Sequence, residues 1–199
     1  MLHISRVLPL FVLFALLNAV SAKLVIIDAG HGGHDRGGSY GKVYEKHLAL
    51  DTAMRLEYYL KEKGYKTLMI RDTDSFVSLA RRADIANSYQ NAIFVSIHYN
   101  FTWRKAARGL ETFYSTELGG RLANACHQSV RELIPTADRG VKYARYHVLR
   151  KSKHPAILVE GGFLSNSSDR AKCKKGLFRD GIARGVVEGI VRFDKSGHW

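Results

Sequence analysis

The stretch Leu24-Val25-Ile26-Ile27-Asp28-Ala29-Gly30-His31-Gly32-Gly33 constrains this chain more than any other. Apolar residues rich in β-branching run straight into a turn-forming cluster, the pattern of a buried strand that ends on a polar loop. His31 stands on that loop. The glycines at 30, 32 and 33 put no side-chain bulk around its imidazole, so they are expected to leave room for a metal or a substrate. Taken alone, the stretch fits a strand-to-helix turn with an incidental histidine equally well.

Further along, Ala49, Ala53, Leu56 and Leu60 recur at helical spacing up to Gly64, which predicts an amphipathic helix with Glu45 at its start. Residues 65–70, 92–99 and 110–115 read as strands, and 156–159 as a continuous apolar one, with 146–149 as a further short strand. Helices are expected after the polar run 71–75, whose last members can cap it, and over about 120–133 and 177–193. In the last helix Gly181, Gly185 and Gly189 form a small-residue ridge, expected to pack closely on a sheet. Alternating helices and non-alternating apolar strands predict an α/β three-layer sandwich, with a mostly parallel sheet flanked by helices.

The 199 residues suggest one domain, preceded by a separate leader. Residues 1–22 combine a basic start at Arg6, an apolar run too short for an ordinary membrane span and the small-residue pattern Val20-Ser21-Ala22. This reads as a secretory signal peptide cut after Ala22. Residues 23–199 then form an exported domain in the periplasm or cell envelope, with no stable transmembrane anchor after cleavage; an uncleaved anchor is the alternative. The formal net charge is +13, which favours a polyanionic partner such as an anionic lipid or an acidic envelope polymer. Export, scattered basic residues and the lack of a nucleic-acid motif argue against nucleic acid.

Cys126 shares an apolar helical face with Leu122, Val130 and Leu133 and reads as a buried small hydrophobe. Cys173 lies between lysines, which would favour a thiolate if it were exposed. Whether the two pair is left open.

Three predicted strands lead to His31, His98 and Glu160, and in open α/β sheets ligands bind at the carboxyl ends of strands. Glu45 returns to the same edge. Two histidines and one carboxylate can hold a catalytic zinc, and a further free carboxylate can shuttle protons. Each has an ordinary structural explanation, but Glu160 is costly at the end of an apolar strand unless paired or solvated. His34 is the main rival of His31; His47 and His127 lack a comparable placement.

The stretches Asp28-Ala29-Gly30-His31-Gly32-Gly33, Glu45-Lys46, Ser96-Ile97-His98-Tyr99-Asn100 and Val159-Glu160-Gly161-Gly162-Phe163-Leu164-Ser165-Asn166 resemble the motifs of zinc-dependent N-acetylmuramoyl-L-alanine amidases, the third amidase family of peptidoglycan hydrolases. Arg71-Asp72 with 79–87, Gly109-Leu110-Glu111-Thr112-Phe113-Tyr114 and Arg139-Gly140-Val141-Lys142 match in the same order. The resemblance implies a six-stranded sheet, one Zn2+ per chain on His31, Glu45 and His98, and Glu160 as the catalytic carboxylate. Asn100, Arg82 and Asn166 are candidates for binding substrate. The implied reaction cuts the amide between the lactyl group of N-acetylmuramic acid and L-alanine of the stem peptide, in cell-wall remodelling or daughter-cell separation.

Some relatives carry a helical plug after the strand corresponding to 110–115, removed by a partner protein; here only 116–119 separate that strand from the next helix. No appended wall-binding domain is expected, and an extrinsic activator or envelope protein remains an implied partner. A zinc peptidase acting within the stem peptide, or a non-catalytic wall-binding module, are the alternatives.

Overall fold

A computed structural model describes residues 23–197, so the expected signal segment lies outside the described residues. In chain order the elements are β1 (Leu24–Ala29), the hairpin β2 (Ser39–Tyr40) and β3 (Val43–Tyr44), α1 (Glu45–Glu62), β4 (Lys66–Met69), α2 (Leu79–Asn87) and β5 (Ala92–Asn100). Then follow β6 (Leu110–Tyr114), α3 (Glu117–Leu133), β7 (Asp138–Tyr143), α4 (His147–Lys151), β8 (Ala156–Phe163), α5 (Ser167–Cys173) and α6 (Gly176–Lys195). The main sheet has six strands in the order β4-β1-β5-β8-β6-β7. All neighbours are parallel except β6 and β8, so the expected mostly parallel sandwich is the observed architecture.

Strand alternation divides the sheet into two faces. Val25, Ile27, Ile93, Val95, Ile97, Ile157 and Val159 point to one side, against Leu56 and Leu60 of α1, Cys126 and Val130 of α3, and Ile182, Val186 and Ile190 of α6. Ile26, Phe94 and Leu158 point to the other, where they meet Ala86 of α2 and Val148 and Leu149 of α4. Three long helices cover the first face. Two short ones cover the second.

The glycine ridge on α6 packs against helix α3 rather than the sheet. A Cβ at Gly185 would lie 2.4 Å from Val130 Cα, and one at Gly189 2.3 Å from Cys126 Cα, so the two backbones approach as closely as glycine permits. Cys126 and Cys173 are both free and fully buried. Burial pushes both thiols up, so the lysines around Cys173 do not make it a reactive thiolate.

Residues 146–149 do not form the expected strand. Tyr146 is the N-cap of α4, whose Val148 and Leu149 are buried on the thinner face. The sixth strand is β7, a polar segment at the sheet edge that pairs only with β6. Helix α2 begins later than expected because Ser78, not the 71–75 run, accepts the capping bond from Arg81 N. Helix α3 begins earlier, its first turn capped by Thr116, whose Oγ1 accepts from Gly119 N at 3.1 Å. Only Ser115 and Thr116 separate β6 from α3, which leaves no room there for a helical plug.

Candidate metal centre and catalytic cleft

The site lies on the thinner face, where the strand residues that share a side with Ile26 and Phe94 become polar. Asp28, Ser96, His98 and Glu160 follow the alternation of β1, β5 and β8, and His98 and Glu160 are register partners across β5 and β8. Both strands continue past these residues, to Asn100 and Phe163, through an irregularity after His98. A cleft of about 680 Å³ opens there, lined among others by His31, Glu45, His98, Asn100 and Glu160, with Tyr146 and Val148 of the α4 segment.

His31, Glu45 and His98 converge on one carboxylate oxygen. Glu45 Oε1 lies 3.0 Å from His31 Nε2 and 2.8 Å from His98 Nδ1. It is aimed by two backbone donors, Tyr99 N–H to Oε1 at 3.0 Å and Gly38 N–H to Oε2 at 2.7 Å. His31 Nδ1 donates to Asp35 Oδ2 at 2.9 Å, which fixes the ring so that Nε2 is the nitrogen facing Glu45. Potential ligand atoms of the three residues all fall within 4.8 Å of one another, a spacing that fits a single metal ion. Two imidazoles and a carboxylate are the borderline donor set that zinc takes in open catalytic sites.

The electrostatics of this trio are coupled to its geometry. Burial would raise the Glu45 carboxyl, but hydrogen bonds and charge from His31 and His98 outweigh it and hold Glu45 well below the usual range. Burial would lower the His31 imidazole, yet Glu45 and Asp35 outweigh it and raise it. Glu160 differs. Burial, reinforced by the nearby carboxylates of Glu45 and Glu111, pushes it well above the usual carboxylate range. Its Oε2 is buried and has no hydrogen-bond partner. A carboxyl group whose hold on a proton is strengthened by burial, and which keeps an unsatisfied oxygen beside a donor cluster, is arranged for proton transfer.

The loop carrying His31 is gripped from behind. Arg71 donates to Ala29 O and Gly30 O at 2.8 and 2.7 Å, and Arg82 to Ala29 O and His31 O at 2.7 and 2.6 Å. Arg82 also pairs with buried Asp28, whose other oxygen accepts from Ser96 Oγ at 2.7 Å. These bonds hold His31 at φ +59°, a left-handed conformation that a non-glycine residue adopts at a cost of about 1–2 kcal/mol.

The loop glycines act differently from the sequence expectation. A Cβ at Gly32 would lie 2.0 Å from Ser75 O, and one at Gly33 2.9 Å from Phe76 N, so both fit the loop against the 75–76 backbone. Gly30 and Gly37 are the ones that clear the site, since a Cβ there would strike the rings of His98 and His31 respectively.

The structure brings His31, Glu45, His98, Glu160 and Asn100 to one cleft. Asn100 donates to Glu111 Oε2 at 2.9 Å. Arg82 borders the cleft, but its guanidinium is committed to Asp28 and the loop carbonyls. Asn166 lies apart from it. Its side chain caps α5 and donates to Lys105 O at 2.8 Å. The rival His34 is exposed and stacks on Phe76; His47 faces Asp74; His127 is bound between Thr112 and Asp138. Sequence reasoning missed Asp28, Asp35, Arg71 and Glu111. A carboxylate inside an apolar strand, as at Asp28, was the signal that a buried cation had to face it.

Residues 25–192 match the Amidase_3 family, described as N-acetylmuramoyl-L-alanine amidase. The N-acetylmuramoyl-L-alanine amidase LytC of Bacillus subtilis (strain 168) is 35% identical over 182 residues, covering 89% of this chain and 37% of LytC, so this chain spans little more than a third of that relative. Among solved structures, an N-acetylmuramoyl-L-alanine amidase from Clostridium difficile 630 aligns with a TM-score of 0.84 at 35% identity, over 88% of this chain and 98% of that one. The CwlD amidase from Clostridioides difficile, solved in complex with the GerS lipoprotein, aligns with a TM-score of 0.84 at 25% identity, over 87% of this chain and 99% of that one. A family match running from the first strand into the last helix, on a sheet that gathers two histidines and two carboxylates in one cleft, shows that this chain belongs to the N-acetylmuramoyl-L-alanine amidases of the Amidase_3 family.

Proposed function

We propose that this chain hydrolyses the amide bond between the lactyl group of N-acetylmuramic acid and L-alanine of the peptidoglycan stem, with His31, Glu45 and His98 holding one zinc ion. The observation that carries the reading is Glu160, a buried carboxyl with an unpartnered oxygen in the same cleft as that donor trio. Bound zinc would supply a Lewis acid for the amide carbonyl and lower the pKa of water. Glu160 accepts the proton of the attacking water and delivers it to the leaving nitrogen as the C–N bond breaks. Asp35 keeps the His31 tautomer fixed throughout, and the backbone donors of Gly38 and Tyr99 hold Glu45 in place.

The setting follows from the substrate. The reaction belongs outside the cytoplasm, in cell-wall remodelling or daughter-cell separation, which the apolar leader in 1–22 supports. No helix among the described residues is long and apolar enough to cross a membrane. Control by an envelope protein is part of the reading, supported by the pairing of CwlD with GerS.

Mass spectrometry of digested peptidoglycan tests the bond. Free stem peptides with an N-terminal L-alanine are expected, whereas cleaved glycan or peptide cuts inside the stem would overturn the assignment. Metal analysis of the dialysed protein should return one zinc per chain. If His98→Ala retains it in full, the trio is not the metal site.

A further inference from the structure

We infer that the 101–108 loop, with the tip of the β2–β3 hairpin, is a second binding surface beside the cleft, and that it holds the anionic glycan which the proposed reaction leaves behind. Trp103 is 82% exposed, Tyr40 49% and Phe101 47%. Single exposed aromatics are ordinary, but these three belong to adjoining segments. A Cβ at Gly38 would lie 2.5 Å from Phe101 Cβ, which places the base of the hairpin, just before β2, directly against the loop.

The same surface is basic. Residues 36–44 and 101–109 contain Arg36, Lys42, Arg104, Lys105 and Arg108 and no Asp or Glu. Arg104 lies over the Trp103 ring at 4.9 Å, and Arg170 over the Tyr40 ring at 3.6 Å, so two of the aromatics each carry a cation against one face. Among the described residues, Arg104, Lys105 and Arg108 are in no ion pair with a carboxylate. The loop is also pinned. Thr102 N–H donates to Ser165 Oγ at 3.2 Å, and Lys105 O accepts from Asn166 Nδ2 at 2.8 Å. The loop backbone that carries its aromatic and basic groups is therefore held in place before any ligand arrives.

The ligand class follows from this pairing, and it rests on the amidase reading. Hydrolysis of the lactyl amide releases the stem peptide as an amine and leaves a carboxylate on each processed muramic residue. A processed strand therefore alternates neutral sugar faces with regularly spaced negative charges. Aromatic rings suit the apolar C–H faces of pyranoses, and unpaired Arg and Lys suit the new carboxylates. An unprocessed strand has its carboxylates out on the stem peptides, not on the lactyl groups beside the sugar rings. The surface thus favours product strand over substrate strand, and Phe101, which lines both the cleft and the loop, makes the two sites contiguous. Held there, the enzyme would remain on a strand it has begun to strip.

The test is fluorescence polarisation with labelled, peptide-free glycan oligosaccharides, using full-length protein carrying Glu160→Gln. Submillimolar binding is expected, weakened at least tenfold by Trp103→Ala and by Arg104→Ala with Arg108→Ala, and weakened by salt. Glycan whose lactyl carboxylates are capped as methyl amides should bind at least tenfold less tightly. Circular dichroism of the variants confirms that exposed side chains, not the fold, were changed. Equal binding of capped and free glycan, or unaltered binding by the variants, overturns the proposal. So does preferential co-sedimentation with phosphatidylglycerol vesicles, which would make the surface a lipid contact. Release of L-alanine peptides from a small soluble muropeptide by the unmutated protein reports separately on the amidase reading.

Discussion

The two faces of the sheet are built to different ends. On one, α1, α3 and α6 pack over side chains that are almost wholly excluded from water, and α3 and α6 touch through glycine. On the other, the short helices α2 and α4 cover only part of the strands, and the uncovered part carries Asp28, His98 and Glu160. A single strand thus contributes dry packing through alternate residues and charged chemistry through the rest. In β5, Ile97 belongs to the core and His98 to the cleft. Stability and reactivity are separated by the pleat, not by distance along the chain.

This contrast can be broken at several points. The largest effect is expected from Glu160→Gln, which should lower turnover on the order of 10²–10⁴-fold. It should not lower the melting temperature, because the amide replaces a buried carboxyl with an unsatisfied oxygen. A stability loss matching the activity loss would show that the open face is structural after all. Next is Arg82→Met, which strands buried Asp28 and frees the His31 carbonyl. A destabilisation of about 3–5 kcal/mol is expected by denaturant unfolding. Were stability unchanged and only substrate affinity reduced, Arg82 would be a substrate contact as its sequence position suggested.

On the closed face, Gly189→Ala should cost about 1–3 kcal/mol by forcing α6 from α3, with turnover per folded molecule unchanged. The smallest effect belongs to Asp74, which accepts from Lys46 Nζ and from Gly33 N–H at the edge of the His31 loop. The Lys46 hydrogen bond is the main cause that lowers its pKa from 3.8 to about 2. The stabilisation is therefore complete above the unfolded value and lost as pH falls through the folded one. Wild type and Asp74→Asn should differ slightly in melting temperature at neutral pH and converge near pH 2.

What the sequence revealed follows the same division. Apolar strands and the helical spacing of Ala49, Ala53, Leu56 and Leu60 announced the closed face, since burial dictates residue type there. His31, His98 and Glu160 drew notice because polar residues in or beside apolar strands demand an explanation, and Glu45 because the helix it begins returns to the same sheet edge. Strand β7 was not legible. As an edge strand its side chains are largely polar, while the more apolar 146–149 segment instead forms a short helix over the cleft. The targets of the loop glycines were also hidden. That Gly32 faces Ser75 and Gly30 faces His98 depends on backbone paths across 43 and 68 residues of sequence separation, roughly, and no local pattern encodes such distances. Arg71 and Asn166 have commonplace residue types whose roles come from the carbonyls and helix ends they reach.

The grip of Arg71 and Arg82 on three successive carbonyls has a thermodynamic corollary. Small zinc domains fold only as the ion arrives, so their metal affinity is reduced by the conformational entropy of ordering the chain. Here that entropy is already lost when the sheet forms, because the guanidinium groups fix the His31 loop through bonds that involve no metal ligand atom. If the trio holds zinc as proposed, a chelator should therefore abolish catalysis while leaving the circular dichroism spectrum intact. Adding it back should restore activity at the rate of ion binding, not of refolding.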